Sequence, residues 1–271
     1  MKNRVLKTIF IRALSGATYV GLVIGSLFLH PFAFAMVLLF FNLVALIEFQ
    51  KFLPFVKPDI LFVFTGSAAF ILAHFILAGW ISDKWFYLLL LLPLLITTAA
   101  LYEKERNPLE NISSGVFGIL YITLPLSLLN GINLNHSGDF AYLVLCIFLL
   151  IWTNDTFAYL SGLSFGKHKL FERISPKKTW EGFFGGFVAV LVVAWFIFPL
   201  LKEMGRIEWI ILAAIISISS VFGDFAESLF KRAANLKDSG NIMPGHGGIL
   251  DRIDSLLFVA PVVYIYLQLI K

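Results

Sequence analysis

Residues 181–201 read EGFFGGFVAVLVVAWFIFPLL, and Glu181 at the start is the only charged side chain of the stretch. A helix of roughly 20 apolar residues crosses a bilayer core of about 30 Å, so this stretch can span a membrane. Strands of a membrane barrel would be shorter and would alternate in hydropathy. Similar stretches recur along the chain, which predicts an all-α, polytopic integral membrane protein with about nine transmembrane helices, at 9–29, 32–53, 60–80, 85–101, 112–130, 140–164, 181–201, 208–230 and 254–270.

The distribution of polar residues divides the chain into two regions. Hydrophobic residues make up 59% of the 271 residues and charged residues 14%, which leaves no room for a separate soluble domain. Up to residue 139 the loops are short, and we predict a scaffold that also provides dimer contacts. From 140 to 271 polar residues enter the spans and two hydrophilic loops appear, at 165–180 and 231–253, which predicts a catalytic region.

Basic residues predict the orientation in the membrane. With nine spans, 17 of the 21 Lys and Arg residues fall on the side that contains the N-terminus. The positive-inside rule places this side, with both hydrophilic loops, in the cytoplasm. The first thirty residues also resemble a signal peptide with a candidate cleavage site at 33–35, but the apolar run is long enough to span and His30-Pro31 favours a turn between two helices.

A dense polar block, Ser228 to Asp254, interrupts these apolar spans. It holds seven charged residues of both signs and His246. Charge beside a bilayer is costly, so such a block indicates a functional site. The five histidines of the chain show no zinc-like spacing, and the single Cys146 excludes an internal disulfide.

The helix that precedes this block carries a polar face. Asp224, Glu227, Ser228 and Lys231 follow at i, i+3, i+4 and i+7 and therefore share one side of the helix. That side must face protein, water or an ion. An internal salt bridge from Asp224 or Glu227 to Lys231 is the alternative to a role in chemistry.

A glycine-rich loop at 243–248 leads to the start of the last helix. Three glycines around His246 let the backbone approach a ligand closely, and helix starts attract anions. The alternative is that Asp251 or Asp254 caps the helix. Capping alone explains neither Arg252 nor the glycines.

Two further segments carry candidate groups. Asp155, Tyr159 and Gly162 share one face of the sixth span, where an acidic residue has either a functional role or a hydrogen-bonded packing role. Residues 174–182 resemble a helix start that presents Lys177, Lys178 and Thr179. Basic residues at this place also meet anionic lipid headgroups.

Acids that suit Mg²⁺ and bases that suit phosphates together indicate nucleotide or phosphoryl chemistry, although the chain has no Walker A or GxGxxG motif.

At these residues the sequence resembles the phosphatidate cytidylyltransferase (CDP-diacylglycerol synthase) family. The family's C-terminal pattern is met by Ser228, Phe230, Lys231, Arg232, Lys237, Asp238, Gly240, Pro244, His246, Gly247, Gly248, Asp251, Arg252 and Asp254. Met243 stands where the family more often has Leu, Ile or Phe, and segments around 155–162 and 175–182 are also similar. The resemblance implies the reaction of CTP with phosphatidate to give CDP-diacylglycerol and pyrophosphate, dependence on Mg²⁺ with room for a second cation, and a homodimer.

The resemblance also implies roles for single residues. Asp224 and Asp251 would bind the metal, with Asp254 and Glu227 as further candidates. Lys231 and Arg232 would clamp phosphates, and His246 would contact phosphate or assist the leaving group. The remaining predicted substrate-binding residues are Lys177, Lys178, Thr179, Ser228, Lys237, Asp238, Gly247, Gly248, Arg252, Asp155 and Tyr159.

Two other functions stay open at this point. One is a CTP-dependent transferase for another lipid phosphate, since headgroup residues do not identify the tails. The other is a cation-coupled transporter with an ion path through Asp155, Asp224 and Glu227. Transporter sites tend to lie near the bilayer midplane, whereas these groups cluster toward one side. The sequence favours a multi-pass protein of the cell's inner (plasma) membrane with a cytoplasmic active site and no nucleic-acid partner.

Overall fold

Helices account for almost all of the structure, a computed structural model that describes residues 2–53, 60–101, 107–134, 140–201 and 204–270. Within these ranges the α-helices are α1 (Lys2–Leu29), α2 (Pro31–Phe49), α3 (Ile60–Leu77), α4 (Leu92–Ala100), α5 (Pro108–Gly118), α6 (Leu124–Leu134), α7 (Phe140–Phe165), α8 (Trp180–Ile197), α9 (Arg206–Ala233) and α10 (Leu250–Leu269). Short 3₁₀ segments cover Gln50–Phe52, Asp83–Leu91 and Phe198–Leu200, and a π-helical turn, Ile119–Thr123, joins α5 to α6. The predicted all-α fold is confirmed.

Seven helical segments of the described chain are long and apolar enough to cross a membrane. They are Phe10–Leu29, Pro31–Phe52, Ile60–Leu77, Pro108–Leu134, Ala141–Phe165, Trp180–Leu200 and Arg206–Ala233. Each overlaps a predicted span, which confirms the polytopic membrane architecture. The count of nine and the cytoplasmic N-terminus stay predictions, and the loop cations Lys57, Lys104 and Arg106 lie outside the described residues.

The two other predicted spans have a different character. Predicted span 85–101 is divided between the 3₁₀ segment and the short helix α4. Pro93 explains the division, because it lacks the N–H that would bond back to the preceding turn. Predicted span 254–270 coincides with α10 up to Leu269, and the first turns of this helix are polar because they carry Asp251, Arg252 and Asp254.

The chain packs as two compact units. The first comprises Met1–Asn135 and Ala233–Ile253, and the second His136–Arg232 and Asp254–Lys271. The segment between α9 and α10, together with the first turn of α10, thus belongs to the same unit as the N-terminal helices. The prediction that 1–139 serves as scaffold and 140–271 as catalytic region concerns function and stays a prediction.

The core of the first unit is built by α1, α2, α3 and α6. Large side chains such as Phe41, Phe70 and Leu129 are fully buried there. The same interior also contains polar groups, because the Asn130 amide lies 2.9 Å from His74 Nδ1 and both side chains are buried. Such a bond satisfies polar groups that lipid cannot hydrate.

In the second unit, α7 and α8 approach each other through small residues. A Cβ atom on Gly186 would lie 2.9 Å from the Asn154 carbonyl oxygen and 3.1 Å from Ala158 Cβ. Close approach through glycine is a common way for membrane helices to pack. Buried hydrogen bonds add α9 to this pair, since Ser217 Oγ donates to Asn154 Oδ1 at 2.6 Å and Trp209 Nε1 donates to the Ala194 carbonyl at 2.8 Å.

An antiparallel hairpin connects α7 to α8. Strands β1 (Lys169–Phe171) and β2 (Ser175–Thr179) pair Lys169 with Thr179 and Phe171 with Ser175. Hydrophilic loop 165–180 is thus an ordered hairpin, which the sequence did not predict. The helix start predicted in 174–182 is confirmed, because Thr179 Oγ1 accepts the Gly182 N–H at 3.1 Å and caps α8. Glu181 accepts the backbone N–H groups of Lys167 and His168 and so fixes the entry to the hairpin.

Gly186→Ala tests the glycine contact between α7 and α8. The added methyl would press on a backbone carbonyl, so we expect the free energy of unfolding to fall by about 1–3 kcal/mol. Gly25→Ala is the matched control, because a Cβ there meets nothing within 4 Å and alanine favours the helix. The measurement is the thermal unfolding midpoint in detergent. Equal midpoints for the two variants would contradict the close packing.

Candidate functional site

A buried carboxylate from α2 organises the polar segment in the first unit. Glu48 is only 2% exposed, and its Oε2 accepts the Leu250 N–H at 2.9 Å and the Ser239 hydroxyl at 3.3 Å. Leu250 is the first residue of α10, so Glu48 provides the acceptor that the start of this helix needs. Sequence reasoning considered Asp251 and Asp254 for this cap, and the acceptor instead comes from another helix.

Asp251 ties the same segment together from the other side. Its Oδ2 accepts the Gly248 N–H at 2.7 Å, the Ser239 N–H at 3.0 Å and the Ser239 hydroxyl at 2.9 Å. These bonds give Asp251 a structural task in holding the loop at the start of α10. The metal-binding role implied by the resemblance stays a prediction.

The glycines of the motif are explained by these carboxylates. A Cβ on Gly240 would collide with the Glu48 carboxylate, and a Cβ on Gly248 would collide with Ser239 Oγ and Glu48. At Gly247, φ is +86° and a Cβ would lie 2.5 Å from Asp251 Oδ2. The glycines of the motif therefore lie where the carboxylates of Glu48 and Asp251 come too close to the backbone for a Cβ atom.

His246 lies in the loop beside two arginines. Its Nδ1 is 2.7 Å from Ser15 Oγ of α1, and the Arg252 guanidinium donates to the His246 carbonyl at 2.8 Å. The stem of Arg12 packs against Gly245. Burial lowers the pKa of His246, and the positive charges of Arg252 and Arg12 lower this pKa further. A neutral imidazole between two permanent cations suits contact with an anion.

In the second unit, a lysine from the hairpin meets an acid on α9. Lys178 Nζ donates to Asp224 Oδ2, and both side chains are about one-third exposed or less. The Lys178 ammonium also lies 4.6 Å from the centre of the Phe225 ring, a cation–π contact. The structure thus brings together two residues, 46 positions apart, that the sequence assigned to phosphate and to metal.

A second ion pair lies one turn further along α9. Lys231 Nζ is 2.5 Å from Glu227 Oε2, and Glu227 is 1% exposed, which is the internal salt bridge considered as an alternative. Buried Asp254 of α10 is close enough to Asp224 and Glu227 to interact electrostatically with both. In the described parts of the chain no three His, Cys, Asp or Glu residues are arranged to enclose a metal ion. The clustered carboxylates nevertheless provide the hard oxygen donors that Mg²⁺ prefers.

The other predicted site residues lie at several places. Thr179 is buried as the cap of α8, and Ser228 is half-buried on α9. On α7, Tyr159 is 68% exposed and Asp155 is exposed as well, whereas Gly162 faces Thr179 and Gly182. The exposed basic and acidic residues of the set are Lys177, Arg232, Lys237, Asp238 and Arg252.

Sequence reasoning missed four residues that build the loop. Glu48 was not among the candidate site residues, and Ser239, Ser15 and Arg12 received no role. An acidic residue inside an apolar span was the available signal for Glu48, because an intramembrane charge is seldom without a partner. The other three had no signal, since their partners lie far away in the sequence.

Comparison with known proteins places this architecture in a family. Residues 10–270 match the model of the cytidylyltransferase family. The chain is 34% identical to a phosphatidate cytidylyltransferase of Haemophilus influenzae, with 92% of this chain and 95% of that protein covered. It is 35% identical to one of Staphylococcus saprophyticus over 70% of this chain and 72% of the relative, and 49% identical to one of Bacillus subtilis over 51% of each.

Glu48→Ala tests the anchor of the loop. It removes the acceptor of the buried Leu250 N–H, so we expect the free energy of unfolding to fall by about 1–3 kcal/mol. Glu48→Gln keeps a side-chain oxygen and should recover part of this loss. Ile47→Ala, at an exposed neighbour on α2, is the control. The measurement is the thermal unfolding midpoint in detergent. A Glu48→Ala variant as stable as the Ile47→Ala control would show that Glu48 does not anchor the loop.

Proposed function

Because the chain belongs to the cytidylyltransferase family, we propose that it transfers a cytidylyl group from CTP to phosphatidate and releases pyrophosphate. The product, CDP-diacylglycerol, enters membrane phospholipid synthesis. The structural observation that carries the proposal is the pair of Lys178 and Asp224 at the polar end of an apolar helix. A cation for a lipid phosphate and a carboxylate for a metal ion are thereby held side by side.

The chemistry explains why charge dominates these residues. An anionic lipid phosphate attacks the α-phosphorus of an anionic nucleotide, so the protein must neutralise charge and position the reactants. In the second unit Lys178 supplies positive charge near the membrane. In the first unit Arg12 and Arg252 flank His246 and supply charge suited to a triphosphate. A phosphate monoester is already ionised near neutral pH, so a general base is not required.

We also propose Mg²⁺ as the cofactor. A second cation is compatible with the number of candidate acidic side chains. Asp224 is the residue of the second unit that would bind it, with Asp254 and Glu227 as the further candidates, and Asp251 is the candidate in the first unit. The ion would neutralise phosphate charge and stabilise the leaving pyrophosphate. Binding of Mn²⁺, followed by electron paramagnetic resonance without substrates, reports on this site independently of turnover.

We also propose a homodimer, as the family resemblance implies. The glycines of 182–186 permit close helix contact, but they pack against α7 of the same chain. A dimer contact would therefore use other residues of the membrane surface.

Pyrophosphate release from purified protein in detergent tests the reaction. With phosphatidate and Mg²⁺, we expect release with CTP and not with ATP, GTP or UTP, and loss of release in EDTA. Asp224→Asn and Lys178→Gln should each lower kcat/KM by about 100-fold or more, the usual effect of removing an electrostatic stabiliser. Lys169→Gln, at an exposed lysine of the same hairpin, serves as the control.

Two outcomes of this assay would change the proposal. Release with an isoprenoid phosphate but not with phosphatidate would make the protein a CTP-dependent transferase for another lipid. No release with any nucleotide, from folded protein, would contradict the transferase and favour the cation-coupled transporter.

The cytoplasmic location of both hydrophilic loops is proposed on the basis of the positive charge, and cysteine labelling tests it. The only native cysteine, Cys146, is fully buried and gives a silent background. In intact cells a membrane-impermeant maleimide should leave Glu172→Cys and Asn241→Cys unlabelled but label Gly205→Cys. In inside-out inner-membrane vesicles the pattern should reverse. Labelling of the first two variants in intact cells would contradict the orientation.

A further inference from the structure

The second unit contains an apolar cleft of about 620 Å³ beneath the hairpin. Its walls come from the hairpin, α8, α9 and α10, and every lining side chain is apolar. The walls include Phe171, Trp180, Phe183, Ile218, Phe222 and Phe225. Its volume lies within the range of about 300–1,000 Å³ that is typical of small-molecule sites. An apolar cleft of this kind has no group that would orient a polar ligand within it.

One wall of the apolar cleft leads directly to the Lys178–Asp224 pair. Phe225 lines the cleft and also carries the Lys178 ammonium over its ring at 4.6 Å. Asp224, the partner of Lys178, is the preceding residue on α9. The apolar cleft therefore ends beside the Lys178 ammonium, which can bind a phosphate. An apolar cleft next to a cation matches a lipid with an apolar chain and an anionic head.

The hairpin is amphipathic, with an apolar side toward the cleft and a basic side that is exposed. Leu170, Phe171 and Ile174 line the apolar cleft, whereas Lys169 and Arg173 are exposed. Hydrophobic side chains on one face and cations on the other are typical of a segment at the boundary between acyl chains and headgroups. The hairpin thus lines the cleft with its apolar side chains and carries its cations on its exposed side.

We propose that the apolar cleft binds an acyl chain of the phosphatidate substrate, with the lipid phosphate at Lys178. The inference rests on the proposed function, because it assigns the tail of the lipid whose head reacts. It gives Phe171, Ile218 and Phe222 a role in substrate affinity, although none of them belongs to the polar motifs. The bound chain would fix the depth and direction of the phosphate and so align it for attack.

Filling the apolar cleft tests the proposal. Ile218 lines the cleft six residues before Asp224, which places it about 9 Å further along the helix axis. Ile218→Trp should raise KM for dioleoyl phosphatidate about tenfold, which is about 1.4 kcal/mol and corresponds to the burial of roughly two methylene groups. It should leave KM for dihexanoyl phosphatidate unchanged, because a short chain does not reach this depth. kcat should change little for either lipid.

Ile211→Trp is the matched control. Ile211 is two turns earlier on α9, is similarly exposed and does not line the apolar cleft. It should leave both KM values unchanged. Equal effects of the two Trp variants, or equal effects of Ile218→Trp on the long and the short lipid, would overturn the proposal and leave the cleft as a place for surrounding lipid only.

Photo-crosslinking separates this proposal from the proposed reaction, since it needs no turnover and no mutation. A phosphatidate with a diazirine at the end of one chain should label peptides of 218–229, and excess phosphatidate should compete while phosphatidylcholine should not. Labelling spread over all lipid-facing helices, with equal competition by both lipids, would overturn the proposal. Specific labelling in a protein that releases no pyrophosphate would keep the lipid site and reject the transferase.

Discussion

The arrangement of the polar motif depends on one buried interaction, that of the Glu48 carboxylate with the first turn of α10. A carboxylate inside a membrane-spanning helix is costly unless it is fully bonded. Here it accepts the Leu250 N–H and the Ser239 hydroxyl, and Asp251 accepts the N–H groups of Ser239 and Gly248. Two negative charges are thus balanced by the backbone of a loop, and the geometry of the loop follows from them.

This constraint explains features of the sequence that otherwise look like substrate chemistry alone. Gly240 and Gly248 are required because no Cβ fits beside Glu48 and Ser239. The two carboxylates hold the loop in place, and the half-buried imidazole of His246 lies beside the exposed, positively charged Arg252, which is available to an anion. In the second unit the acids are balanced differently, since Lys178 and Lys231 pair with Asp224 and Glu227. The carboxylates are thus stabilised by backbone N–H groups in the first unit and by lysine side chains in the second unit.

Local sequence determines most of the fold, and distant contacts determine most of the site. Hydropathy located seven spans, because the length of an apolar helix is set by the bilayer. At 85–101 the predicted span is divided into a 3₁₀ segment and a short α-helix, because Pro93 interrupts the apolar run. The hairpin was missed because its strands are only three and five residues long and carry few β-formers. The motif identified the residues around Asp251 but not Glu48, whose partners lie about 200 positions away. The Lys178–Asp224 pair likewise depends on packing that no periodicity reveals.

Hydrogen–deuterium exchange of the unmodified protein in detergent tests the central claim most directly. The amides of Gly248 and Leu250 should exchange on the order of 100-fold more slowly than those of the exposed residues Asn241 and Ile242 in the same segment, because Asp251 and Glu48 accept their hydrogens. Exchange of all four amides at the same fast rate would contradict the account, since the loop would then not be held by the two carboxylates.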